Sequence, residues 1–131
     1  MNKIVARYAD GRVVKGTTVD FFPTKDIFHV NVADENGPRL VEVHLKELKA
    51  LFFVKNFEGD PGHRKVNEFD PSRPAPGRRL KVVFKDGEVM VGTTTGYQPG
   101  RPGFFIVPAD TGGNTERCYI VSASTQEVGF L

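Results

Sequence analysis

Laid on itself at an offset of 76 residues, the chain repeats. Asp10-Gly11 falls on Asp86-Gly87, Val13 on Val89, Gly16-Thr17-Thr18 on Gly92-Thr93-Thr94, Pro23 on Pro99, Phe28 on Phe104 and Ala33-Asp34 on Ala109-Asp110. These ten identities sit largely on turn and glycine positions, where backbone geometry leaves little choice of residue. Past a two-residue insertion, Arg39 is matched with Arg117, Val43 with Val121 and Phe52 with Phe130. A duplicated unit of about 53 residues is just long enough to build a core. The 131-residue chain then divides into a first repeat (1–55), a linker (56–78) and a second repeat (79–131).

Each unit reads as short strands. Leu80, Val82 and Phe84 alternate with Lys81 and Lys85, and Ile4, Ala6 and Tyr8 hold the equivalent places, the period of two that marks a half-buried strand. Asp-Gly supplies the positive φ of a tight hairpin. A second strand over 12–22 or 88–97 carries Gly16 or Gly92 in its middle, the mark of a bend that lets one strand serve two faces. Third (27–32, 104–107) and fourth (40–43, 118–121) strands follow. One helical turn (44–48, 122–126) then leads into a last strand (51–55, 128–131). The expected fold is all-β: two tandem five-stranded SH3-like or Sm-like small barrels, which hide strand edges by closing the sheet. The linker holds four prolines and three glycines without periodicity, and its Phe57 and Phe69 are expected to pack on a barrel or to cover a partner site.

Charge narrows the partners. Eighteen Lys and Arg stand against sixteen Asp and Glu, and the three segments hold nine and seven, four and four, and five and five. With no basic arm or stripe, the balance argues against nucleic acid as partner. No apolar run exceeds strand length, so no membrane association is expected, and the start of the chain lacks the segments of an export signal, so the expected location is cytoplasmic. Cys118 is the single cysteine and sits in an apolar run, which reads as a small core residue. His29, His44 and His63 show none of the spacings that place two ligands on one face, so no metal is expected. No nucleophile elbow or phosphate-binding glycine loop occurs, and the expectation is a non-enzymatic protein without a cofactor.

The most site-like segment is the loop from Tyr97 to Phe105. Pro99, Pro102 and two glycines give it a defined shape, and it offers Tyr97, Arg101 and Phe105, residue types found at binding hot spots. The first repeat keeps Phe22, Pro23 and Lys25 in the matching loop, with Lys25 in the place of Arg101. Tyr97, Arg101, Phe105, Lys25, Phe22, Phe57 and Phe69 are therefore the candidate binding residues.

The segment from Asp10-Gly11-Arg12 through Gly16 to Asp20-Phe21 is similar to the first motif of Sm-like RNA-binding proteins, which makes an Sm-like nucleic-acid binder the alternative expectation, although the Arg-Gly of their second motif is absent. Arg73 and Arg78, five apart with Arg79 adjoining, resemble the R-x-x-x-R arm of PilZ-like cyclic-dinucleotide binders without its spacing, and the D/N-x-S-x-x-G motif of that family is also absent. A wider resemblance is carried by Leu48-Lys49-Ala50-Leu51-Phe52-Phe53-Val54-Lys55, Phe57, Gly59, Arg101-Pro102-Gly103-Phe104-Phe105 and Pro108-Ala109-Asp110. By these residues the chain resembles a family of uncharacterised bacterial tandem small-barrel domains. That resemblance implies an adaptor in signalling or regulation with a protein partner and assigns no catalytic residue; strand edges separately allow a homo-oligomer.

Overall fold

The computed structural model describes residues 1–59, 62, 68, 69 and 77–131. The first repeat contributes β1 (Asn2–Tyr8), β2 (Val13–Thr18), β3 (Ile27–Asp34), β4 (Gly37–His44) and β5 (Leu48–Val54). The second contributes β6 (Arg78–Phe84), β7 (Val89–Thr94), β8 (Gly103–Pro108), β9 (Thr115–Val121) and β10 (Thr125–Phe130). Single 3-10 turns, Leu45–Glu47 and Ser122–Ser124, precede the last strand of each repeat. Among the described residues no helix is long and apolar enough to cross a membrane.

The ten strands form one antiparallel sheet in the order β10-β6-β7-β8-β9-β5-β1-β2-β3-β4. Each repeat thus orders its strands fifth, first, second, third, fourth, and the two are joined where β5 pairs with β9. β4 and β10 lie at opposite ends of the order, so the hydrogen-bonded ladder is continuous but not closed. Asp-Gly turns the first hairpin of each repeat, with Gly11 at φ 97° and Gly87 at φ 91°.

Register corrects the sequence alignment beyond the third strand. Ile4 pairs with Phe53 and its counterpart Leu80 with Phe130, while Phe28 pairs with Val43 and its counterpart Phe104 with Ile120. Phe130 is therefore the equivalent of Phe53 rather than Phe52, and Val43 matches Ile120 rather than Val121. The same shift pairs Leu40, not Arg39, with Arg117. The second repeat has gained one residue, not two. A one-residue slip exchanges the two faces of a strand, so matching letters across the slip paired inward with outward positions.

Two cores lie on the two faces of the central strands. The first gathers Ile4, Ala6, Tyr8, Phe28, Val30, Leu51 and Phe53 together with Tyr119 and Val121 of the second repeat. The second gathers Leu80, Val82, Phe84, Met90, Phe104 and Ile106 with Cys118, Ile120 and, from the first repeat, Ala50. Over Ala50–Phe53 and Cys118–Val121, β5 and β9 send alternate side chains into opposite cores. Cys118 is fully buried, as its apolar setting suggests.

Candidate binding groove

Joining the repeats through β5 and β9 creates a groove along the seam, about 500 Å³ in volume. Its floor and walls are Val5, Phe52, Val54, Phe57, Met90 and Pro108, and its rim carries Arg7, Lys15, Lys49, Glu58, Glu88 and Asp110. The Arg7 guanidinium lies 5.6 Å from the centre of the Phe52 ring. The volume is that of an ordinary ligand or peptide-anchor site, with apolar walls and both signs of charge at the mouth.

One wall is held by an asparagine clasp between the end of β5 and the β8–β9 turn. The Asn56 amide donates to Asn114 Oδ1 (3.2 Å) and Asn114 Nδ2 donates to the Asn56 carbonyl (2.9 Å), while Lys55 N–H donates to the Asn114 carbonyl (2.9 Å). Asn56 Oδ1 then accepts from Gly59 N–H (2.7 Å), fixing the short turn that carries Phe57 and Glu58 into the groove. At the opposite end, Lys49 Nζ bridges Asp86 and Glu88, both at 2.6 Å, and lies 4.6 Å from the Phe84 ring centre. Burial works against the Lys49 charge, but its two carboxylate partners outweigh that and raise its pKa. The Lys49 hydrogen bond, followed by the Glu88 amide, lowers that of Asp86. These bonds pin the first repeat to the β6–β7 hairpin of the second.

The sequence-derived site residues are not assembled into one surface. Phe57 lines the groove. Tyr97 packs edge-on against Phe104 (4.8 Å) and Phe130 (5.7 Å), as a flank of the second core. Phe105 is half-buried among Phe21, Phe53 and Tyr119 at the seam, with the Arg117 guanidinium 4.8 Å from its ring centre. Arg101 is exposed, its Nε bonded to Gln98 Oε1 of its own loop at 2.9 Å. Lys25 lies over the exposed Phe22 ring at 5.7 Å, repeating the pairing of a cation with the loop. Phe69 lies under the Arg79 guanidinium at 4.4 Å. His63 and Arg73 lie outside the described residues, as does most of the linker.

Asp20, at the end of the Sm-like motif, is a structural group: it accepts from His29 N–H (2.9 Å), from Thr18 Oγ1 (3.2 Å) and meets His29 Nδ1 (2.7 Å). The His29 amide is the main cause of its lowered pKa. His44 meets Asp26 at 3.3 Å and Glu42 at 3.5 Å. Among the described residues no three His, Cys, Asp or Glu side chains gather as a metal site. The sequence reading missed Arg7, Lys15, Lys49, Phe52 and Asn114, which alternation alone presents as ordinary strand and turn residues.

Neither the curated proteins nor the solved structures offer a match to this sequence. A family of unknown function, DUF6982, matches residues 1–131, and over that whole length the chain belongs to it.

Proposed function

We propose that the chain is a non-enzymatic binding module in which two fused small barrels of the SH3-like or Sm-like kind hold a short peptide segment of a protein partner in the groove between them. The strand order shared by the two repeats and the bend-forming glycines support the barrel reading. The single observation that carries the function is the seam groove, whose apolar floor would take one or two apolar anchors. Arg7, Lys15 and Glu58 among its lining residues would take flanking charges of either sign. An adaptor role in the bacterial cytoplasm follows from this reading and from the sequence resemblance alone.

Selection from a displayed peptide library, followed by titration of the best binder, tests it. Phe57→Ala and Arg7→Ala should each weaken the selected peptide by about 1 to 3 kcal/mol with melting temperatures nearly unchanged. Full affinity in both variants would remove the groove from the binding surface. Submicromolar, steeply salt-dependent binding to RNA would replace the peptide by a polyanion.

A further inference from the structure

The two ends of the sheet carry the same two strands that are joined in its middle. Inside the chain, a fifth strand (β5) pairs with a fourth strand (β9), with Leu51 opposite Tyr119 and Phe53 opposite Arg117. The remaining fifth strand, β10, and the remaining fourth strand, β4, terminate the sheet, each with one side unpaired by any other strand among the described residues.

Their backbone phase suits them to each other. Leu131 N–H donates to the Arg79 carbonyl (3.0 Å), so the alternation of an antiparallel ladder turns the backbone groups of Phe130 and Val128 away from β6. Leu45 N–H donates to the Asp26 carbonyl (2.6 Å), which turns those of Leu40 and Glu42 away from β3. These are the repeat equivalents of Phe53, Leu51, Arg117 and Tyr119, the residues that face each other across the internal joint.

We propose that a second copy of the chain docks head to tail, β4 of one molecule on β10 of the next, repeating the internal joint between molecules. In that register Phe130 comes opposite Leu40 and Val128 opposite Glu42. Leu40 is 63% exposed and Phe130 42% exposed, and both lose water on docking. Glu42 takes the seat of Tyr119, which in the internal joint packs 5.5 Å from the Phe21 ring. The repeat equivalent of Phe21 is Tyr97, whose added hydroxyl can donate to the arriving carboxylate, and the Arg78 guanidinium 3.6 Å from the Phe130 ring centre adds a cation at the same end. The contact uses different surfaces on the two molecules, so each added copy leaves one edge of each kind, and growth stops only if a ring closes.

Light scattering on a sizing column, over a range of concentrations, reads the outcome. The full chain should run at a multiple of its 14.5 kDa mass. Leu40→Lys and Phe130→Lys, each shown folded by its melting curve, should run as monomers, and an equal mixture should give a one-to-one heterodimer that grows no further. Because Phe130 also packs on Tyr97, Val128→Pro is the second variant on that edge and Glu42→Pro its counterpart on the other; each removes an outward N–H and should also yield a monomer. A monomeric wild-type chain at the highest concentration, a mixture that stays monomeric, or loss of assembly in the β4 variants alone, which marks a symmetric β4–β4 contact, would each overturn the proposal.

Discussion

A methyl group has no room at Gly16 or Gly92. A Cβ there would stand 2.2 Å from the carbonyl oxygen of Asn31 or Val107, because the following strand crosses directly over the glycine. Gly16→Val and Gly92→Val should each lower stability by about 1 to 3 kcal/mol or more, read as a fall in the urea midpoint. Both glycines stand out in the sequence, since the repeat aligns them; the close crossing that requires them does not. Lys49 is a contrasting case, since its partners lie in the other repeat and nothing local marks it. Its pKa is raised on folding, so its contribution is present below the unfolded lysine value and is lost as pH rises through the folded one. The pKa of Asp86 is lowered, so its contribution is present above the unfolded carboxylate value and is lost as pH falls through the folded one. Lys49→Met leaves two partly exposed carboxylates and should cost about 1 kcal/mol near neutral pH. That difference should shrink as pH falls through the lowered Asp86 value, and denaturant midpoints of the two proteins should converge in acid.

At the scale of elements, the loop before β8 and the strand itself separate two roles. Phe104 is buried in the second core, and Phe104→Ala should cost about 3 to 5 kcal/mol of stability. Arg101 is bonded only within its loop among the described contacts, and Arg101→Ala should shift stability by less than about 0.5 kcal/mol; thermal melts of the two variants check both values. The existence and type of nearly every strand was legible, because alternation and Asp-Gly turns are local signals. Bounds were less so: the second strands end at Thr18 and Thr94, well before Phe22 and Tyr97, because their partners β1 and β6 begin opposite those residues, at Asn2 and Arg78. The groove was illegible, since Asn114 reaches the Arg7 and Phe52 side of it only through the joint of β5 with β9. Asn114→Ala strips the clasp of its side-chain bonds and should cost about 1 to 3 kcal/mol by thermal melt, with Phe57 less firmly placed.

For the molecule as a whole, the decisive feature is that neither core is completed by its own repeat. Tyr119 and Val121 fill the first and Ala50 the second, so calorimetric and van't Hoff enthalpies of unfolding should agree in a single transition. A fragment of residues 1–55 should lack a cooperative melt. Two well-separated transitions would show that the shared strands do not couple the halves. Duplication was visible in the sequence, whereas this interleaving was not, because the same alternation serves a strand facing water on one side and a strand facing a second core. The interleaving also bears on how the chain emerges from a ribosome. All five strands of the first repeat are synthesised more than sixty residues before the segment that covers the outer edge of β5, since Val54 awaits Thr115 and Ala50 awaits Ile120. During that interval an apolar strand edge stands open to any neighbouring nascent chain, and the speed of translation through 56–114 becomes a determinant of yield.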